Sequence, residues 1–297
     1  MITADLRRAI VAAAGHDPLL RPGPRPGSYT SSLPFRLSQE EHKALTDRLS
    51  AEPWIKTAEI AGHLTITVTH DALATLAVRI ARAGPACAAS DALHGRTVPA
   101  HADLTAYLTA RLAATAGATL SFYPERAVVR APETRSPVSA AVAYAGPDAV
   151  RYALAATPPG GVTPSAEVIA RQVLGNPAYA VRYAHAAAAA VLRWAAALDT
   201  GPGGFRPRQL TAPQELALLD ALSWLPERVA MAARRGRPDD FAGYLAELAA
   251  RTLDTMSTTG FTTISSISSE RLWLADAART GLAAGLELLG VDAPERI

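Results

Sequence analysis

Cysteine is almost absent from this sequence. Its 297 residues hold one, Cys87. A lone cysteine excludes an intramolecular disulfide and any cysteine-based zinc cluster, and it fits a reducing cytoplasm. Lysine is nearly as scarce: Lys43 and Lys56 are the only two among 29 basic residues. The arginine excess goes with the abundance of alanine and proline and reads as base composition. No run approaches the roughly 18 apolar residues that a membrane span needs. The opening "MITADLRRAIVAAAGHD" has too short an apolar stretch for a secretory leader. Net charge is only +2, so no broad basic field exists, and a nucleic-acid partner would be held by local clusters. A P-loop, a G-x-S-x-G elbow and an H-E-x-x-H pair are all missing. No catalytic residue, metal ligand set or cofactor is expected.

What is present is a large apolar fraction, 49%, enough for a sizeable core and two or three domains. Residues 2–14 place Ile2, Leu6, Ile10 and Val11 at helical spacing. "HDPLLRPGPRPGSYTSS" is a Pro/Gly loop. Ser38 and Glu41 stand in capping-box positions ahead of the next helix. "TAEIAGHLTITVTH" alternates from Leu64 to Thr69 and reads as a strand. "DALATLAVRIARAG" is a helix closing on Gly84. Residues 1–84 thus form a small α/β unit. Residues 85–140 connect, with a helix in "DLTAYLTARLAATAG", one or two strands in "TLSFYPERAVVRAP" and a loop in "PETRSP". From 141 to 297 the pattern is helical, with helices expected at 145–156, 165–174, 178–198, 212–233, 239–256 and 269–289. "DTGPGGFRPRQLTAP" reads as a linker and "STTGFTTISSISS" as a loop or a poorly formed turn. The expected fold is therefore α+β and multidomain: the α/β unit, a short connection, and an all-α bundle. No internal repeat is visible.

Several stretches carry a family resemblance. "NPAYAVRYAHAAAAAVLR", "GPDAVRYALAATPPG" with Asp148, Ala149, Arg151 and Tyr152, and the ending "RLWLADAARTGLAAGLELLGVDAPERI" resemble the arginyl-tRNA synthetases in their DALR anticodon-binding bundle. "PGSYTSSLPFRLS" with "AEIAGHLTITVT" resembles that family's N-terminal accessory domain, which touches the tRNA elbow. The similarity covers about 20–84 and 141–297. The family's catalytic core is not matched. Its His-x-Gly-His signature needs two histidines three apart, and none of the seven, at 16, 42, 63, 70, 94, 101 and 185, has that spacing. Its Lys-Met-Ser-Lys-Ser loop needs lysines, and none follows Lys56. A βαβ unit takes about 30 residues and a doubly wound core several such units, more than 85–140 supplies. The resemblance implies a non-catalytic relative that binds tRNA, an arginine tRNA, in the cytoplasm, as an adapter for a tRNA-using enzyme or as a regulator. A scaffold subunit without RNA binding is the other reading, and neither involves a membrane.

The resemblance also places the candidate tRNA-binding residues. On the first bundle helix these are Asn176, Tyr179, Arg182, Tyr183 and His185. Tyr183 either stacks on an unpaired base or packs half-buried with its hydroxyl at the rim. His185 reads as an interior histidine. Three positions depart from the family: Ala180 replaces a tyrosine, Arg182 a glutamine and Ala187 an arginine. In the α/β unit, Tyr29, Ser31 and Ser32 occupy the elbow-contacting region, as base contacts or as loop caps; Ser28 replaces an Asp and Ser32 an Asn. Arg271, Trp273 and Arg279 on the last helix, and Arg296 in the tail, complete the set. Trp273 reads as a stacking residue or as core. Arg234, Arg235 and Arg237 read as helix-end charges complementing the dipole.

Overall fold

The computed structural model describes residues 1–100, 103–122, 137–263 and 267–297. The α/β unit starts with helix α1 (Ile2–Ala14), then the short strand β1 (Arg21–Pro22) and β2 (Ser28–Ser31). Helix α2 (Gln39–Ser50) starts at the expected box: Ser38 Oγ accepts from Glu41 N–H, and the Glu41 carboxylate accepts from Ser38 N–H at 2.7 Å. The expected single strand at 57–70 is a hairpin, β3 (Ile55–Ala61) and β4 (His63–Val68). Gly62 makes the reversal at φ +77°, a backbone state that a side chain disfavours. The sheet order is β1-β2-β4-β3, antiparallel throughout. Helix α3 (His70–Ala83) follows, with Thr69 as N-cap.

The connecting region contains β5 (Thr97–Ala100), α4 (Leu104–Thr115) and β6 (Thr119–Phe122). β5 and β6 pair in parallel, so these elements form one βαβ unit. The rest of the "TLSFYPERAVVRAP" stretch and nearly all of "PETRSP" lie outside the described residues.

The C-terminal part is helical. It comprises α5 (Pro137–Ala145), α6 (Pro147–Ala155), α7 (Ala166–Ile169), α8 (Pro177–Ala197), α9 (Pro213–Ser223), α10 (Leu225–Arg235), α11 (Pro238–Met256), α12 (Thr259–Thr262) and α13 (Ser269–Leu288). Two expectations are corrected. The helix expected at 165–174 is a single turn. The helix expected at 212–233 breaks at Trp224, because Pro226 has no N–H to continue the ladder. The segment after 256, expected as a loop or a poorly formed turn, contains the single turn α12. Among the described residues no helix is long and apolar enough to cross a membrane.

One apolar cluster runs through the whole molecule. Helix α3 packs on α13 and α9, and α8 lies against α13 and α11. A line of polar contacts crosses the same seam. Tyr29 is fully buried; its hydroxyl meets Ser223 Oγ at 2.8 Å and its ring packs on Trp224 at 5.3 Å. Thr3 Oγ1 donates to the Ser223 carbonyl at 2.7 Å, capping the end of α9. Gly27 N–H donates to Asp220 at 2.8 Å, and His70 Nε2–H to the Leu210 carbonyl at 2.8 Å. Arg7 and Arg234 converge on Asp17 and Glu227, at 2.5 and 3.8 Å for Arg7 and 3.2 and 3.3 Å for Arg234. Arg234 is therefore no solvated dipole charge, as expected from its place in the chain, but half of a shielded ion network. Arg235 and Arg237 are surface charges paired with Asp240 and Asp239.

The shared core predicts a single cooperative unfolding transition. Tyr29→Phe is expected to cost about 0.5–1.5 kcal/mol, the net worth of one hydrogen bond. Tyr29→Ala is expected to cost about 3–5 kcal/mol through the cavity it opens. Urea melts followed by tryptophan fluorescence and by circular dichroism check this. Two separate transitions in the wild-type protein would contradict it.

Candidate anticodon-type groove

Helix α8 owes its position to small residues. Ala178, Ala184, Ala188, Ala189 and Ala195 are buried and let the neighbouring helices approach closely. Asn176 caps it: Oδ1 accepts from Ala178 N–H at 3.2 Å, while Nδ2 donates to the Ile169 and Arg171 carbonyls at 2.9 and 2.7 Å. Its amide is thus engaged in the fold as a helix cap.

One face of α8 remains open. Tyr183, Ala187, Ala190 and Trp194 follow each other at helical spacing along the wall of a groove of about 620 Å³. The opposite wall is Leu253, Met256 and Phe261; the tail brings Arg296 and Ile297 to the rim. Trp194 is 58% exposed and Tyr183 38%. Tyr179 lies one turn before Tyr183 and stacks on it, ring centroids 5.5 Å apart and 18° from parallel. This holds the Tyr183 ring without covering it. Among the described residues no Asp or Glu side chain lines the groove.

The tail reaches the groove through a set of polar ties. His185 is buried, and its Nδ1–H donates to the Pro294 carbonyl at 2.8 Å. Burial, the larger influence, holds its pKa below the ordinary 6.5 against the pull of that carbonyl and of Glu295. Arg193 donates to the Glu295 carbonyl at 2.6 Å and lies 3.5 Å from its carboxylate. Arg279 is 3.8 Å from the same carboxylate and is also bound to Asp276. Arg151 donates to the Gly290 carbonyl, and Asp148 accepts from Asp292 N–H at 3.3 Å while facing Arg182 at 3.7 Å. Arg296 is exposed and has no carboxylate within 4 Å among the described residues.

The structure therefore sorts the expected residues. Tyr183 and Arg296 line the groove, Tyr179 stacks on Tyr183, and Arg182 faces Asp148. His185 and Arg279 act behind it by holding the tail. Tyr29 and Ser31 are both buried, Tyr29 at the seam and Ser31 with its hydroxyl donating to the Pro18 carbonyl. Ser32 is exposed and precedes the short 3-10 turn at 33–36. Arg271 is bound to the buried Glu215 at 2.7 Å. Trp273 donates its indole N–H to the Gly203 carbonyl at 3.1 Å and lies under Arg82, on the side of α3 and away from the groove. Arg193 and Trp194 were not expected. Their signal was the continuation of the Tyr183 stripe by one turn beyond the alanines.

Residues 181–297 match the family model described as the DALR anticodon binding domain. The arginine–tRNA ligase of Clavibacter sepedonicus is 39% identical over 158 residues, which is 51% of this chain and 28% of that protein. That of Renibacterium salmoninarum is 38% identical over 162 residues, 52% and 29%. The chain thus spans less than a third of these relatives' length. An arginyl-tRNA synthetase structure from Thermus thermophilus aligns over 100% of this chain and 59% of its own, with 18% identity and a TM-score of 0.45, too loose to carry an argument. The C-terminal half of this chain carries a DALR anticodon-binding domain homologous to that of the arginyl-tRNA synthetases.

The depressed His185 pKa has a signed consequence. Between its folded value and 6.5 the unfolded chain binds the extra proton, so stability falls as pH drops through that window. His185→Asn keeps a donor for Pro294 and removes the titration. The wild type minus variant stability difference is expected to shrink as pH falls from 7.5 to about 5. A difference independent of pH, measured by urea midpoints, would contradict the buried neutral imidazole.

Proposed function

We propose that this chain binds tRNA, an arginine tRNA, through the α8 groove, and that it acts as a non-catalytic adapter or regulator. The observation that carries the reading is the open aromatic–cationic groove lying within the DALR anticodon-binding domain. Tyr183 and Trp194 present flat faces of the kind on which unstacked loop bases lie, and Arg296 supplies an uncommitted guanidinium for phosphate. The lack of an acidic side chain among the described lining residues favours a polyanion.

The sequence supports the non-catalytic part: no histidine pair has the signature spacing and no lysine follows Lys56. Among the described residues the βαβ unit at 97–122 is small beside a doubly wound core. A tRNA-using partner enzyme fits an adapter of this kind.

Binding is proposed at one end of the tRNA only. In the resemblance, Tyr29 and its neighbours would meet the elbow. Here Tyr29 is consumed by the contact with Ser223 and Trp224, so that face is turned inward.

One observation favours the alternative, a protein-binding scaffold. Ala187 lies in the groove where the family keeps an arginine, and Arg193 and Arg182 are internally paired. The groove is thus more apolar than an RNA site requires.

Gel shifts with total tRNA across a salt series separate the two. Tyr183→Ala and Trp194→Ala are each expected to weaken binding roughly 5- to 100-fold, one base stack apiece. Arg296→Ala is expected to lower the salt slope by about one. Tyr29→Phe is expected to leave affinity unchanged. Absence of any shift at low salt sinks the tRNA reading.

A further inference from the structure

A second cavity, far smaller in apolar character, lies at the seam. It has about 280 Å³ between the Pro22–Pro26 loop and helices α9, α10 and α11. Three guanidiniums line it: Arg25 from the loop, Arg228 from α10 and Arg251 from α11. Among the described residues none of the three has a carboxylate within 4 Å. The Arg228 guanidinium carbon lies over two rings, 5.9 Å from the centroid of Trp224 and 5.8 Å from that of Tyr244. Its Nε is shielded from solvent and has no hydrogen-bond acceptor. The Trp224 indole N–H, on a residue 3% exposed, leans toward Asp220 but also completes no hydrogen bond. Two of the unpartnered buried polar atoms thus belong to neighbouring residues of one cavity wall, and buried donors are normally satisfied.

Two carboxylates share the lining, Asp220 and Glu247. Glu247 is exposed at the rim. Asp220 already accepts from Gly27 N–H at 2.8 Å, and burial raises its pKa to about 6, which weakens its hold as an anion. Three cationic forks against two carboxylates, one of them engaged, select an anion over a cation. A planar guanidinium fork set beside two aromatic rings matches the paired oxygens of a phosphate.

We propose that this seam cavity is a phosphate-binding site in which Arg25, Arg228 and Arg251 hold one phosphate group. The group comes from a small phosphate ester or from an RNA backbone. Because the loop and the bundle supply opposite walls, its binding stabilises the docked arrangement of the α/β unit. The site is independent of the α8 groove.

The test uses the full chain with inorganic phosphate, against chloride at matched ionic strength. Phosphate at about 5 mM is expected to raise the Tm by about 2 °C or more, with a calorimetric binding signal. Arg25→Ala and Arg251→Ala remove exposed, unpaired side chains and leave the fold intact. Each is expected to weaken phosphate binding about tenfold. Arg228→Lys keeps the charge, loses the fork and is expected to do the same. If the group is RNA-borne, Arg25→Ala and Arg251→Ala also weaken tRNA binding and phosphate competes with tRNA. If it belongs to a small ester, tRNA binding is unchanged while a nucleoside monophosphate competes with phosphate. No phosphate-dependent shift in the wild type, or an equal shift in all three variants, overturns the proposal, whatever the groove variants do.

Discussion

Burial of Tyr29 against Ser223 and Trp224 is the contact on which the rest of the arrangement depends. It joins the sheet of the α/β unit to the break between α9 and α10. A tyrosine hydroxyl taken out of water must find a partner, and Ser223 provides it at the place where α9 stops. The break exists because Pro226 interrupts the helical ladder. The same short region therefore ends one helix, starts the next, presents Trp224 and receives Tyr29. Thr3 and Gly27 add two more hydrogen bonds within a few residues. The Arg7, Arg234, Asp17 and Glu227 network adds charge to the seam. Such shielded pairs contribute little net stability, but losing one partner is costly, so they favour one docking geometry over others.

That seam decides what each half of the molecule can do. A face spent on internal packing is not available to a ligand, and the α/β unit turns Tyr29 and Ser31 inward while Ser32 stays exposed. The bundle keeps an open groove because the α8 stripe is built of alanines flanked by Tyr183 and Trp194. Small side chains leave volume; the aromatics at its two ends give that volume a surface suited to flat groups. The tail completes the groove only because the buried His185, with Arg193 and Arg279, holds residues 294–295 against the bundle. Asp148 and Arg151, which lie far away in the chain, fasten the base of the same tail.

Much of the local structure was legible. The Ser38–Glu41 box, the strand at 64–68 and the long α8 followed from caps and periodicity, because those are short-range effects. The β3–β4 hairpin was missed because Gly62 alone marks the turn and β3 alternates weakly. The α9–α10 break was missed because the apolar spacing continues across it, although Pro226 was there to be weighed. In the groove, Tyr183 and Arg296 were legible from the resemblance. Trp194 was not, because an exposed tryptophan and a core tryptophan look alike in sequence.

The sequence by itself determined the helix and strand types, the near absence of cysteine and lysine chemistry, and the kinship of the C-terminal half with an anticodon-binding domain. Those depend on composition, spacing and residue identity, which one dimension carries. Only the tertiary structure decided which residues of that inheritance face solvent. Tyr29 and Tyr183 are the same residue type with the same expected role, yet one is fully buried and the other open. The difference lies in residues nearly two hundred positions away from Tyr29, at Ser223 and Trp224. Burial is a property of the partner surface as much as of the residue, and no local pattern encodes it.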